Sequence, residues 1–194
     1  MILTRDFHFH ISTFPMLPMN STLLQNLHAA VRDVPDFPMP GIVFKDITPI
    51  LSDAALFRAS IDAFVELAAG LKVDKVVGID ARGFIFGGAV AIRLGAGFIP
   101  MRKRGKLPWT TESTSYALEY GEAVLEVHRD AILPGENVLL VDDLLATGGT
   151  SAAAIELVHR LGGSVVGTHF LVELAFLGGR AKLPGTGVEA ILVY

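Results

Sequence analysis

The sequence predicts an α/β domain: a mostly parallel, twisted sheet with helices on both faces. Three observations predict it. Short, uninterrupted apolar runs of strand length recur, as at 75–79 (KVVGI) and 137–141 (NVLLV), and strands covered on both faces read this way. Longer segments with apolar residues at helical spacing alternate with these runs. Hydrophobic residues make up 51% of 194 residues, enough for a full core without covalent staples.

Ser21 or Thr22 caps a helix reaching about Val31, with Leu23, Leu24, Leu27 and Val31 on one face. A proline-rich turn spans 35–40, and 41–44 reads as a short strand. Residues 53–71 read as a helix with Leu56, Ile61, Phe64, Val65 and Leu67 as its apolar stripe. Then come a strand at 75–79, a helix at 84–94 and a strand at 96–101. Residues 102–121 are polar and aperiodic, which predicts a long functional loop or a disordered one. Strands follow at 123–127, 137–141, 164–173 and 189–193, with a helix at 150–161 between the second and third. Parallel sheets place ligands at the carboxyl ends of their strands, so the segments after Ile79, Met101 and Val141 are where chemistry is expected.

The net charge is −4, which disfavours nucleic acid as a partner. The chain has no cysteine, which excludes disulfides and thiolate metal sites and suits a reducing compartment. No apolar run reaches the ~18 residues of a membrane span. Residues 1–20 mix Phe7, Phe9, Ile11 and Phe14 with Arg5, Asp6, His8 and His10. They lack the basic start and continuous apolar stretch of a secretory signal. They are expected to form a flexible or loosely docked extension, with Met19 an alternative first residue. The expected location is cytoplasmic, and the remaining histidines are expected to be structural.

The most informative stretch is 138–150. An apolar strand is expected to end at Asp142 and Asp143, followed by Leu144, Leu145, Ala146, Thr147, Gly148, Gly149 and Thr150, where a helix starts. The glycines let successive backbone N–H groups turn inward. The helix start adds unpaired N–H groups and the positive end of its dipole. Such a loop suits a phosphate, and Thr147, Thr150 and Ser151 add hydroxyl donors. It carries no P-loop lysine, so it fits one terminal monophosphate. Adjacent buried carboxylates are costly without partners. The vicinal hydroxyls of a ribose satisfy them, and the same acids can help hold a hydrated Mg²⁺.

This stretch resembles the signature of the type I phosphoribosyltransferases, which bind 5-phosphoribosyl-1-pyrophosphate (PRPP). The resemblance implies that Asp142 and Asp143 hold the ribose and that Ala146, Thr147, Gly148, Gly149 and Thr150 hold the 5′-phosphate. From about Leu23 onward the chain resembles the adenine-specific branch, and four further motifs carry that likeness. Residues 36–46 are similar to the purine segment, implying adenine contacts from Val43, Phe44 and Lys45, with Leu144 covering the ring. Residues 80–84 (DARGF) resemble the pyrophosphate loop, with Arg82 as the clamp. Four cations in five positions, Arg102, Lys103, Arg104 and Lys106, resemble the mobile catalytic loop; Arg102, Lys103 and Lys106 would bind pyrophosphate. In residues 115–121 the proton-transfer carboxylate falls on Glu119, next to Tyr120.

The resemblance further implies a small N-terminal hood at about 21–51 on a core at about 52–194, together one domain. It implies Mg²⁺ carried with PRPP, a homodimer, and purine salvage: adenine and PRPP giving AMP and pyrophosphate. Other readings are a transferase for another base and a non-catalytic PRPP-binding regulator.

Overall fold

The structure, a computed structural model, describes residues 21–117 and 122–194. Helix α1 (Ser21–Ala30) leads into an antiparallel ribbon of β1 (Arg32–Pro35) and β2 (Val43–Asp46). Strand β1 was not expected. Arg-Asp-Val-Pro has no apolar alternation, and it is a strand because β2 pairs along its whole length, Val34 opposite Phe44. Helices α2 (Thr48–Ser52) and α3 (Ala54–Leu67) follow. The helix expected at 53–71 is α3, with Asp53 as its cap and Leu67 as its last residue, and the short α2 before it was not expected. The Asp53 carboxylate accepts the N–H groups of Ala55 and Leu56, each at 2.9 Å, which caps α3.

The main sheet contains β3 (Lys75–Ile79), β4 (Gly97–Lys103), β5 (Thr111–Ala117), β6 (Glu122–His128), β7 (Asn137–Leu145), β8 (Ser164–Glu173) and β9 (Val188–Val193). Its order is β5-β6-β4-β3-β7-β8-β9. The five strands from β4 to β9 are parallel, and β5 and β6 form an antiparallel margin. Helix α4 (Gly83–Leu94) joins β3 to β4, and α5 (Gly149–Arg160) joins β7 to β8.

Two expectations are corrected. The segment 102–121 is not one long loop: it holds the end of β4 and all of β5. Strand β5 (TESTSYA) is polar because, among the described residues, it is an edge strand paired only with β6. Strand β7 does not stop at Val141. It runs through the two acids to Leu145, with Asp142 opposite Phe170 and Leu144 opposite Val172 on β8.

The pleat sorts the core into two layers, as expected. Val76, Leu139, Val141 and Leu171 pack with Leu27, Phe64, Phe86 and Val90 of α1, α3 and α4. Val77, Leu140 and Phe170 pack with Ala154, Leu157 and Val158 of α5. Each such side chain contributes about 1.5–3 kcal/mol of burial free energy. Helix α4 sits hard on β3: a Cβ at Gly78 would lie 2.7 Å from the Gly83 carbonyl oxygen. That contact fixes Arg82 and Gly83 above the strand ends. No helix among the described residues is long and apolar enough to cross a membrane.

Candidate active site

The carboxyl ends of β3 and β7 open into a cavity of about 490 Å³. It is lined by residues from six places: Asp80, Ala81 and Arg82 after β3, Lys103 on β4, Tyr116 on β5, Leu125 on β6, Asp142 to Leu144 on β7, and the turn from Ala146 into α5.

The turn is built by contact as well as by sequence. Gly148 has φ 77°, and a Cβ there would lie 2.5 Å from the Gly179 carbonyl oxygen. Gly179 in turn leaves no room for a Cβ against the Ala146 carbonyl. The first N–H groups of a helix have no partner inside it. At α5 they belong to Gly149, Thr150 and Ser151, all of which face the cavity. An anion is what this turn can bind.

Asp142 and Asp143 are buried. The Asp142 Oδ1 accepts the Asp143 N–H at 2.9 Å, and Asp143 Oδ2 meets Arg82 Nε at 2.6 Å. Burial pushes the Asp142 carboxyl well up, and the neighbouring Asp143 charge pushes it further. Burial also raises Asp143, with Arg82 opposing it. The pair therefore favours a ligand that donates hydrogen bonds or brings positive charge.

The four cations of 102–106 do not form one solvated run. Arg102 Nε and Lys106 Nζ reach Asp80 Oδ2 at 3.2 and 3.3 Å, and Lys103 faces the cavity. Arg104 turns away toward Glu126 at 3.8 Å. Burial works to raise the Asp80 carboxyl. The hydrogen bonds and charges of Lys106 and Arg102 outweigh it and hold the group below its usual range.

The expected purine residues divide. Leu144 lines the cavity, whereas Val43, Phe44 and Lys45 lie on the ribbon beside it. Phe44 connects to the site through Arg82, whose guanidinium stands 5.4 Å from its ring centre. Among the described residues β2 pairs only with β1, so its other edge keeps backbone N–H and C=O groups for a ligand. Glu119 and Tyr120 lie outside the described residues.

Asp80 and Tyr116 also belong to the site and were given no role from sequence. A carboxylate directly after a buried parallel strand was the available signal for Asp80. For Tyr116 there was none, because β5 itself was not legible.

A parallel sheet whose central strand carries two adjacent acids into a glycine turn and a helix start is the architecture of the type I phosphoribosyltransferases. The family model of the phosphoribosyl transferase domain matches residues 49–182. An adenine phosphoribosyltransferase of Acidothermus cellulolyticus is 59% identical over 164 residues, covering 84% of this chain and 93% of that protein. Among solved structures, adenine phosphoribosyltransferase from Rhodothermus marinus has a TM-score of 0.86 at 53% identity, covering 90% of this chain and all of that one. The Saccharomyces cerevisiae enzyme, complexed with an imino-altritol bisphosphate and adenine, has a TM-score of 0.84 at 42% identity, covering 89% of this chain and 99% of that one. The chain belongs to the adenine phosphoribosyltransferase family. Its reaction transfers the 5-phosphoribosyl group of PRPP to adenine, giving AMP and pyrophosphate in purine salvage.

Proposed function

We propose that PRPP lies across the cavity with its 5′-phosphate in the turn of Ala146, Thr147, Gly148, Gly149 and Thr150 and its ribose hydroxyls on Asp142 and Asp143. The observation that carries this reading is that the acid pair and the helix-start N–H groups face one cavity of sugar-phosphate size. Pyrophosphate is then met by Arg82, Arg102, Lys103 and Lys106. Adenine lies against Phe44 and Leu144, with its amino and ring-nitrogen edge on backbone groups around Val43 and Lys45. Hypoxanthine, with an oxygen and a ring proton at that edge, leaves a buried group unpaired there.

The bond from the anomeric carbon to pyrophosphate breaks, the bond to the adenine nitrogen forms, and positive charge builds on the ribose between the two events. Asp142 and Asp143 stabilise that charge from the hydroxyl side, and the four cations take up the charge of the leaving group. Holding both substrates in line replaces a bimolecular encounter, an effect of about 7–11 kcal/mol. The proton lost by the attacking nitrogen passes to Glu119. Mg²⁺ would accompany PRPP, with Asp142 and Asp143 the residues placed to help hold it, and would supply further neutralisation of pyrophosphate. The excess carboxylate charge of the acid pair over its single guanidinium partner suits such an ion nearby.

Residues 21–51 act as a hood on the core of 52–194, one domain in all, in a cytoplasmic enzyme. A second copy of the chain covers the outer face of α4 and β4, where Ile85, Ile92 and Phe98 are 41%, 82% and 36% exposed. The test of the site is Asp142→Asn combined with Asp143→Asn, assayed with labelled adenine and PRPP. Turnover should nearly vanish while circular dichroism stays native; near-normal turnover overturns the ribose assignment. In the same assay Glu119→Gln should lower kcat more than PRPP affinity, and an unchanged kcat removes it from the mechanism.

A further inference from the structure

Among the described residues, no strand pairing joins the ribbon that carries Phe44 to the main sheet. Side-chain contacts help to set its place beside the cavity, and Tyr194 is at the centre of them. The backbone of Tyr194 belongs to the core. Its N–H donates to the Glu173 carbonyl at 2.9 Å, and its carbonyl accepts the Ala175 N–H at 2.8 Å. Those neighbours also brace the phosphate turn. The Leu174 N–H donates to the Leu145 carbonyl at 2.9 Å, directly before the turn. Glu173 accepts from Arg180 Nε at 2.7 and 2.8 Å, and Arg180 follows the Gly179 that packs on Gly148.

The Tyr194 ring faces the ribbon instead. The Lys45 ammonium stands 4.2 Å from its centre, and the His28 imidazole stacks on it at 4.7 Å. The Lys45 side chain is only 16% exposed and also meets Asp33 at 2.6 Å. Neighbouring residues of a strand project to opposite faces. With Lys45 held against Tyr194, Phe44 is turned the other way, toward Arg82. A roll of β2 would move Phe44 and the backbone edge together.

We infer that Tyr194 is a positioning residue for adenine, fixing the roll of β2 relative to the phosphate turn through the Lys45 ammonium. Tyr194 does not line the cavity, so it acts through Lys45 and not by touching substrate. The inference rests on adenine lying against Phe44. In-line attack makes such positioning matter, since a misplacement of ~1 Å can cost on the order of 100-fold in rate.

The test measures Michaelis constants for adenine and PRPP separately in Tyr194→Ala, Tyr194→Phe, Lys45→Met and Phe44→Ala. Tyr194→Ala should raise the adenine constant about tenfold, the scale of a lost partly buried cation–π contact, and leave the PRPP constant within about twofold. Tyr194→Phe keeps the ring and should restore the adenine constant. Lys45→Met should reproduce the shift, and it serves alone if Tyr194→Ala does not fold. The inference is overturned if the adenine constant does not move, if both constants rise together, or if Tyr194→Phe behaves like Tyr194→Ala. An unmoved adenine constant in Phe44→Ala overturns the adenine assignment itself, and the inference with it. A raised one there, with Tyr194→Ala and Lys45→Met unmoved, overturns the positioning role alone.

Discussion

Arg82 Nε lies 2.6 Å from Asp143 Oδ2, so the guanidinium proposed for pyrophosphate is paired, before substrate arrives, with a carboxylate proposed for ribose. The pair neutralises two groups that would otherwise face each other across the cavity alone. Under the proposed assignments, PRPP binding is an exchange of partners in which ribose hydroxyls would replace the guanidinium on Asp143 and phosphate oxygens would replace the carboxylate on Arg82. Lys106 and Arg102 are held against Asp80 in the same way, at 3.3 and 3.2 Å.

Arg82→Ala should therefore lower stability as well as PRPP affinity. It leaves the buried Asp143 without its cation. The Arg82 side chain is 38% exposed, so solvent screening limits the loss to about 1 kcal/mol, or roughly 2–4 °C in melting temperature for a chain of this size. Combining it with Asp143→Asn should erase most of that loss. A double-mutant cycle by thermal melting checks this, and strictly additive effects would show that the pair is not coupled.

The acid pair should make the free protein less stable as pH rises. The folded-state pKa of Asp142 is raised, chiefly by burial and then by Asp143. The folded chain thus binds more protons than the unfolded chain above the ordinary aspartate value. Stability falls as pH climbs from that value through the raised one. Asp142→Asn should flatten this slope and raise the melting temperature at neutral pH while weakening PRPP binding. Melting curves from pH 4 to 8 decide it; a variant less stable than wild type at neutral pH contradicts the sign.

Which parts of this were legible in sequence follows from the forces that form them. Strands β3, β7 and β8 are buried on both faces and so are written as apolar runs. Strand β5 and strand β1 owe their existence to partners on the other side of a hairpin, and neither Thr111–Ala117 nor Arg32–Pro35 carries a local pattern. The glycine turn before α5 was legible because Gly148 needs a positive φ and the space against Gly179. The pairing of Arg82 with Asp143, and of Asp80 with Arg102 and Lys106, joins residues far apart in the chain and was not. The same holds for Tyr194 and Lys45, which meet only in the folded chain.

A buried histidine gives the acid limb a second, opposite dependence. His169 on β8 is 1% exposed, and burial lowers its pKa from 6.5 to about 4. Above pH ~6.5 it is neutral in both states. As pH falls from there toward 4, the unfolded chain takes up a proton that the folded chain resists, and stability is lost. The loss should reach about 2–3 kcal/mol near pH 4.5. His169→Leu, of similar size, should reduce that loss relative to wild type in urea titrations at pH 7 and 4.5. An identical acid loss in the variant would assign it to other groups.

Gly148→Ala should separate the turn from the rest of the fold. Gly148 has φ 77°, a conformation that costs a residue with a Cβ about 1 kcal/mol. The added carbon would also stand 2.5 Å from the Gly179 carbonyl oxygen, so the turn or the segment of Gly179 must shift, at a further ~1–3 kcal/mol. The shift moves the N–H groups of Gly149 and Thr150, and with them the proposed 5′-phosphate seat. PRPP affinity should fall by at least about tenfold, which is the loss of one charged hydrogen bond. The free-state melting temperature should drop, while adenine binding to any residual PRPP complex stays near normal because β2 is untouched. Calorimetry with PRPP, then with adenine, measures both. Unchanged PRPP affinity together with a lowered melting temperature would mean that the turn holds the fold and not the phosphate.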